Sequence, residues 1–119
     1  MQEETNKILN TVEEQVCKTE EFIFSNGPFS AEHIKDSLNN LAALWRLQSA
    51  SNYPSVSEKK SIFNEDLDNV EGKLISPVKL FLSAFLNNYP SDKKGLALLE
   101  RVKKCEEEIP KIRDVIQKF

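Results

Sequence analysis

Residues 98–119 read LLERVKKCEEEIPKIRDVIQKF, and this stretch decides the fold. Its apolar residues are Leu98, Val102, Cys105, Ile109, Ile112, Ile116 and Phe119, separated by steps of four, three, four, three, four and three. That is a heptad seam along one side of a helix. On the other side, Glu100 precedes Lys104, Glu107 precedes Lys111 and Asp114 precedes Lys118, each by four residues. This is the favoured order of acid and base on one helix face. Two independent patterns therefore give the same helix. Pro110 lies on its charged side, where water can satisfy the carbonyl of Glu106 that the ring deprives of a donor. The spacing predicts a long last helix, kinked near Pro110. The alternative is a new helix opening at Pro110.

Working outward, the stretch before this helix is the most apolar in the chain, Val78-Lys79-Leu80-Phe81-Leu82-Ser83-Ala84-Phe85-Leu86. It reads as the centre of the core or as a subunit interface. Asn87-Asn88-Tyr89-Pro90 closes it, and Ser91 is the expected cap of the last helix, from about Asp92. Upstream, Phe63, Leu67, Val70 and Leu74 follow at four, three and four. They predict a third helix from about Val56, opened by a capping box at Ser55 and Glu58. Ser76-Pro77 either starts a separate helix or kinks one running from about residue 57 to Asn88.

The first half holds two more helices. Leu9, Val12, Val16, Thr19 and Ile23 line one face of a helix over about Gln2 to Phe24. Ser25-Asn26-Gly27-Pro28 ends it, with Gly27 expected to take the left-handed cap. Ser30 is the expected N-cap of a second helix over about Ala31 to Ala50, with Ile34, Leu38, Leu41, Leu44 or Trp45, and Leu47 on its stripe. The broad run 41–45 suggests burial on more than one side, with Trp45 in the core. No stretch alternates with period two for long enough to make a strand. The expected fold is all-α, a single antiparallel bundle of four to five helices over residues 1–119, or part of a longer helical protein.

The chain has 119 residues, 39% hydrophobic and 29% charged, as expected of one globular domain. A net charge of −3 argues against a dedicated nucleic-acid binder. Residues 1–60 carry six basic against nine acidic side chains, and residues 61–119 carry ten of each. Cys17 and Cys105 stand too far apart in sequence to suggest a zinc site or disulfide framework, and both read as buried thiols. The polar, acidic start is unlike a signal peptide, and no apolar run reaches the length of a membrane span. These features suggest a cytoplasmic, reducing location.

No motif carries chemistry. His33 is the one histidine, set in the first turn of a helix. There is no glycine-rich phosphate loop, and no helix presents ligands at metal spacing. The expectation is a protein that is not an enzyme and takes no cofactor or metal. The candidate partner-binding positions are Val78, Phe81, Leu82 and Phe85, with Ile112, Ile116 and Phe119, each of which also suits a core. Lys93, Lys94, Arg101, Lys103 and Lys104 form the one concentrated basic cluster, suited to anionic headgroups or an acidic partner, or else to a solvated face.

One segment, Val70-Glu71-Gly72-Lys73-Leu74-Ile75-Ser76-Pro77-Val78-Lys79-Leu80-Phe81, resembles the part of BAR domains where a long second helix passes through a proline. Tyr89-Pro90-Ser91-Asp92, Arg101 to Lys104 and Arg113 to Phe119 continue the resemblance, which covers residues 65–119. It implies an antiparallel helical homodimer that reads membrane curvature through Lys93, Lys94, Arg101, Lys103 and Lys104, peripheral to the membrane. The reading of the residues themselves is a helical protein–protein interaction or scaffold module. A small carrier with a phenylalanine-rich interior for an apolar ligand is a further alternative.

Overall fold

The structure is a computed structural model that describes residues 2–47 and 52–119. Five α-helices follow one another: α1 (Gln2–Ile23), α2 (Ala31–Arg46), α3 (Val56–Val70), α4 (Ser76–Asn88) and α5 (Lys93–Gln117). A π-helical turn, Glu71–Ile75, joins α3 to α4 without a break. The bundle class expected from the apolar periodicity is therefore the one observed. The predicted end of α2 at Ala50 lies outside the described residues.

The helix starts follow the side-chain caps. Ser30 and Ser55 accept hydrogen bonds from the backbone N–H groups of His33 and Glu58. At α5 the cap is Asp92 and not Ser91; its carboxylate accepts from the N–H of Gly95 at 2.8 Å. Asp92 has the better charge for the positive end of a helix. The turn after α1 also differs from expectation. The left-handed residue is Ser25, with φ 54°, and Gly27 has no positive φ. Gly27 is needed for space. A Cβ there would lie 2.5 Å from the Phe22 carbonyl oxygen and nearer still to that of Glu21.

Helix α5 is the axis of the molecule and packs against every other element. Leu98, Val102, Cys105, Ile109, Ile112 and Ile116 are all buried, so the seam predicted for residues 98–119 is the core strip as far as Ile116, whereas its last residue, Phe119, is exposed. Burying side chains of this size contributes about 1.5–3 kcal/mol each. The helix passes through Pro110 as one unbroken element, with the proline on the exposed side.

Named contacts give the direction of each rod. Lys94 meets Asn10, and Arg101 meets Glu20. Glu108 shares a cleft with Ile23 and Glu32. Helix α1 thus runs parallel to α5, and α2 carries on in the same direction. Against the other flank of α5, Asp68 and Glu71 meet Arg113, while Lys79 meets Glu106. The rod made of α3, the π turn and α4 is therefore antiparallel to α5. The arrangement is up–down–up, with a broken first arm and a continuous second one. The molecule measures 62 × 22 × 20 Å. A 25-residue helix such as α5 supplies only about 37 Å of length, at 1.5 Å per residue. The remainder comes from α1 and α2 overlapping the two ends of α5.

The π turn has a cause in the apolar spacing. The buried positions along this arm are Phe63, Leu67, Val70, Ile75 and Leu82, with Val78 and Phe85 packed on the same core. The step from Val70 to Ile75 is five residues, one more than an α-helix accommodates on one face. Leu74, the expected stripe residue, is only half-buried. One wide turn takes up the additional residue and returns Val78, Leu82 and Phe85 to α5.

Two further expectations are corrected. Trp45 is 44% exposed, and its indole N–H donates to the Pro54 carbonyl at 2.8 Å, which ties the end of α2 to the start of α3. Cys17 is exposed, whereas Cys105 is fully buried. Burial, and then the charge of Glu20, pushes the Cys105 thiol up to about 11 from its ordinary 9.0.

Candidate protein-interaction face

Helix α4 turns one side to the core and the other to solvent. Leu82 is buried, and Val78 and Phe85 are half-buried against α5. On the outward side lie Leu80, 75% exposed, Phe81, 37% exposed, and Ala84. Tyr89, just past the helix end, is 49% exposed. Phe81, Phe85 and Tyr89 recur at four-residue intervals and form a ladder. Ring centroids are 6.2 Å apart for Phe81 and Phe85, and 5.0 Å for Phe85 and Tyr89. Such ring pairs hold their geometry at about 0.5–1.5 kcal/mol each beyond simple burial. Ile8 of α1, 47% exposed, forms the far wall of the shallow groove that Phe81, Ala84, Phe85, Asn88 and Tyr89 line.

Charge is absent along this stretch. Residues 80–91 contain no Asp, Glu, Lys, Arg or His, in a chain that is 29% charged. Of the two charged residues that border it, Lys79 donates to both carboxylate oxygens of Glu106, at 2.8 and 3.0 Å, and Asp92 caps α5. Aromatic enrichment with charge depletion is the compositional mark of an interface core. Scattered exposed apolar residues carry no such meaning, whereas a contiguous patch does.

The positions expected from sequence fall into two groups. Leu82, Ile112 and Ile116 lie in the core, where only unfolding exposes them. Val78 and Phe85 form the floor of the α4 face, Phe81 stands on it, and Phe119, 38% exposed, lies past the end of α5 at the other end of the rod. Leu80, Tyr89 and Ile8 were not singled out by sequence. The available signal was the uncharged run continuing to Ser91, with Tyr89 four residues beyond Phe85.

The basic cluster is divided. Arg101 donates through Nε to Glu20 at 3.2 Å and through Nη2 to the Cys17 sulfur at 3.4 Å, and it stands 3.9 Å from Glu13. Its pKa is held above the ordinary arginine value, first by the hydrogen bond to Glu20 and then by that to Cys17. Lys94 bonds to Asn10 and lies 3.8 Å from Glu13. These two side chains fasten α1 to α5. Lys93, Lys103 and Lys104 are exposed on α5. Of the three acid–base pairs expected along the helix, Asp114 with Lys118 is formed at 2.9 Å, and Lys111 instead approaches Glu108, at 3.8 Å.

His33 is exposed, and no group of His, Cys, Asp or Glu among the described residues is arranged to hold a metal. No helix among them is long and apolar enough to cross a membrane. The surface depressions, including the one beside Phe24 and Cys17, are open to solvent.

No protein-family model matches the chain, and no match was found among curated proteins or among solved structures.

Proposed function

We propose that this chain is a non-enzymatic helical interaction module that docks a partner on the outward face of α4. The observation that supports this reading is the uncharged run 80–91, which presents Leu80, Phe81 and Tyr89 to solvent, the last two lining a groove with Ile8. Binding of a helix face in this way draws its affinity from a few aromatic and aliphatic anchors. The test compares proteins retained from lysate by immobilised wild type, Leu80→Asp and Leu96→Asp. Leu96 is similarly exposed but lies on α5. Retention lost with Leu80→Asp alone is expected. Retention indifferent to Leu80 refutes the reading.

A second reading, a BAR-like membrane-surface module, draws support from one observation. The segment resembling that family lies in the continuous second arm of an up–down–up rod, and the helix passes through Pro77 there. On this reading Lys93, Lys103 and Lys104 touch anionic headgroups, while Lys94 and Arg101 serve the fold. Co-sedimentation with anionic vesicles that is lost on replacing those three lysines with Glu is the expected result. Absence of binding at low salt removes this reading.

A further inference from the structure

We infer that the partner covering the α4 face is a second copy of this chain, related by a two-fold axis that sets the two α4 helices antiparallel near Ala84. This rests on the interaction-module reading and names its partner. A two-fold contact places one face against itself, so a residue lying k positions before the axis meets the one lying k positions after it. A charged side chain there would be buried without an opposite charge to pair with. Residues 80–91 contain no Asp, Glu, Lys, Arg or His, and Lys79 is already paired with Glu106 of its own chain. Self-pairing therefore buries no unpaired charge. An acidic or basic target finds no counter-charge on this surface.

The polar groups on the face are also compatible with themselves. Ser83, Asn87, Asn88 and Tyr89 each carry both a donor and an acceptor. Groups of this kind remain satisfied by water at the rim of the contact and need no counter-charge. Shape agrees with chemistry. With the axis near Ala84, the Leu80 and Phe81 levels of one copy meet the Asn88 and Asn87 levels of the other, and the small Ala84 at the axis lets the two helices approach closely. The face runs along the flank of a 62 Å rod, so two rods lie side by side without obstruction.

The exposed parts of Ile8, Leu80, Phe81 and Tyr89 together amount to about 400 Å² of mostly apolar surface, within the size range of functional patches on monomers. With their polar surroundings, two such faces bury about 1,000–1,200 Å² in total, at the lower end of specific interfaces. The dimer is therefore a reversible one that dissociates on dilution.

The experiment is light scattering of the full chain across a dilution series from about 1 to 500 μM, which brackets a weak reversible complex. The wild type is expected to move between the 13.6 kDa monomer and twice that mass. Leu80→Asp places a charge without a partner on the apolar seam and is expected to weaken the dimer at least tenfold. Leu80 is three-quarters exposed, so the monomer keeps its circular dichroism and melting temperature. Leu96→Asp is expected to dimerise as the wild type does, and 1 M salt is expected not to dissociate the dimer. A wild type that stays monomeric, a dimer indifferent to Leu80→Asp, or one that salt dissolves overturns the inference. A monomer that retains other proteins through Leu80 sinks the second copy and leaves the interaction module standing. Leu80-dependent binding of a monomer to uncharged phosphatidylcholine vesicles overturns the inference in favour of a lipid surface.

Discussion

Deleting Gly72 is expected to convert the π turn into ordinary α-helix at little or no cost. The buried positions of the second arm now step by four, three, five, three, four and three, from Phe63 to Phe85. Without Gly72 the steps become four, three, four, three, four and three, a regular heptad line. Val78, Leu82 and Phe85 keep their places against α5, and Glu71 remains beside Arg113. The deletion also removes a glycine from a helix interior, which costs up to about 1 kcal/mol relative to alanine. The deletion variant is thus expected to lie within about 1 kcal/mol of wild type, on the favourable side. Inserting an alanine after Gly72 has the opposite effect. The step grows to six, and α4 turns by about 100° relative to α3. Val78, Leu82 and Phe85 then leave the core, at about 1.5–3 kcal/mol each, which approaches the whole stability of a domain this size. Urea unfolding followed by far-UV circular dichroism measures both. A deletion that costs more than about 3 kcal/mol, or an insertion that costs nothing, refutes the register argument.

Gly27→Ala is expected to destabilise by about 2 kcal/mol or more, because its Cβ collides with backbone carbonyls of α1 that cannot swing aside; a thermal shift under 2 °C contradicts this. Asp92→Ala is expected to cost about 1 kcal/mol through loss of the α5 cap, with Asp92→Ser recovering most of it in the same urea assay. The Cys105 thiol, raised from 9.0 to about 11, ionises more readily in the unfolded chain. Its contribution is complete below pH 9 and is lost as pH rises towards 11, at most about 2–3 kcal/mol. Cys105→Ala is expected to flatten that alkaline slope while lowering stability at pH 8, and an unchanged slope contradicts the assignment. In the native protein Cys17 is expected to react with a thiol reagent while Cys105 does not, and an equal rate for both contradicts the burial of Cys105.

The seam of α5 was legible because Leu98, Val102, Cys105, Ile109, Ile112 and Ile116 obey one period and all six are buried, with only Leu99 and Val115 standing off the line. The capping serines were legible because capping is local chemistry. The π turn was not. Leu74 fits an α-helical step from Val70, and only the contacts of Ile75 reveal that the line shifts by one. That shift sets the phase of α4, so the apolar run 78–86 announced an important surface without telling which half would be buried. Trp45 reads as core by residue type, but its N–H finds a carbonyl at the surface beside Pro54. The basic cluster looked continuous in sequence because Glu13 and Glu20, which engage Lys94 and Arg101, lie more than eighty residues away.

The pairs along the two flanks of α5 also bear on which of two mirror-image bundles forms. A three-rod bundle can place its first arm to the left or to the right of the third with the same apolar core. Exchange the arms and Glu20 faces the flank that holds Glu106, while Asp68 and Glu71 face the flank that holds Glu108. Arg101 and Arg113 lose their carboxylates at the same time. Each misplaced contact is worth only a few tenths to about 1 kcal/mol. Several acting together bias the choice between two topologies that burial alone scarcely separates. The charged side chains of α5 thus favour one hand of the bundle over the other.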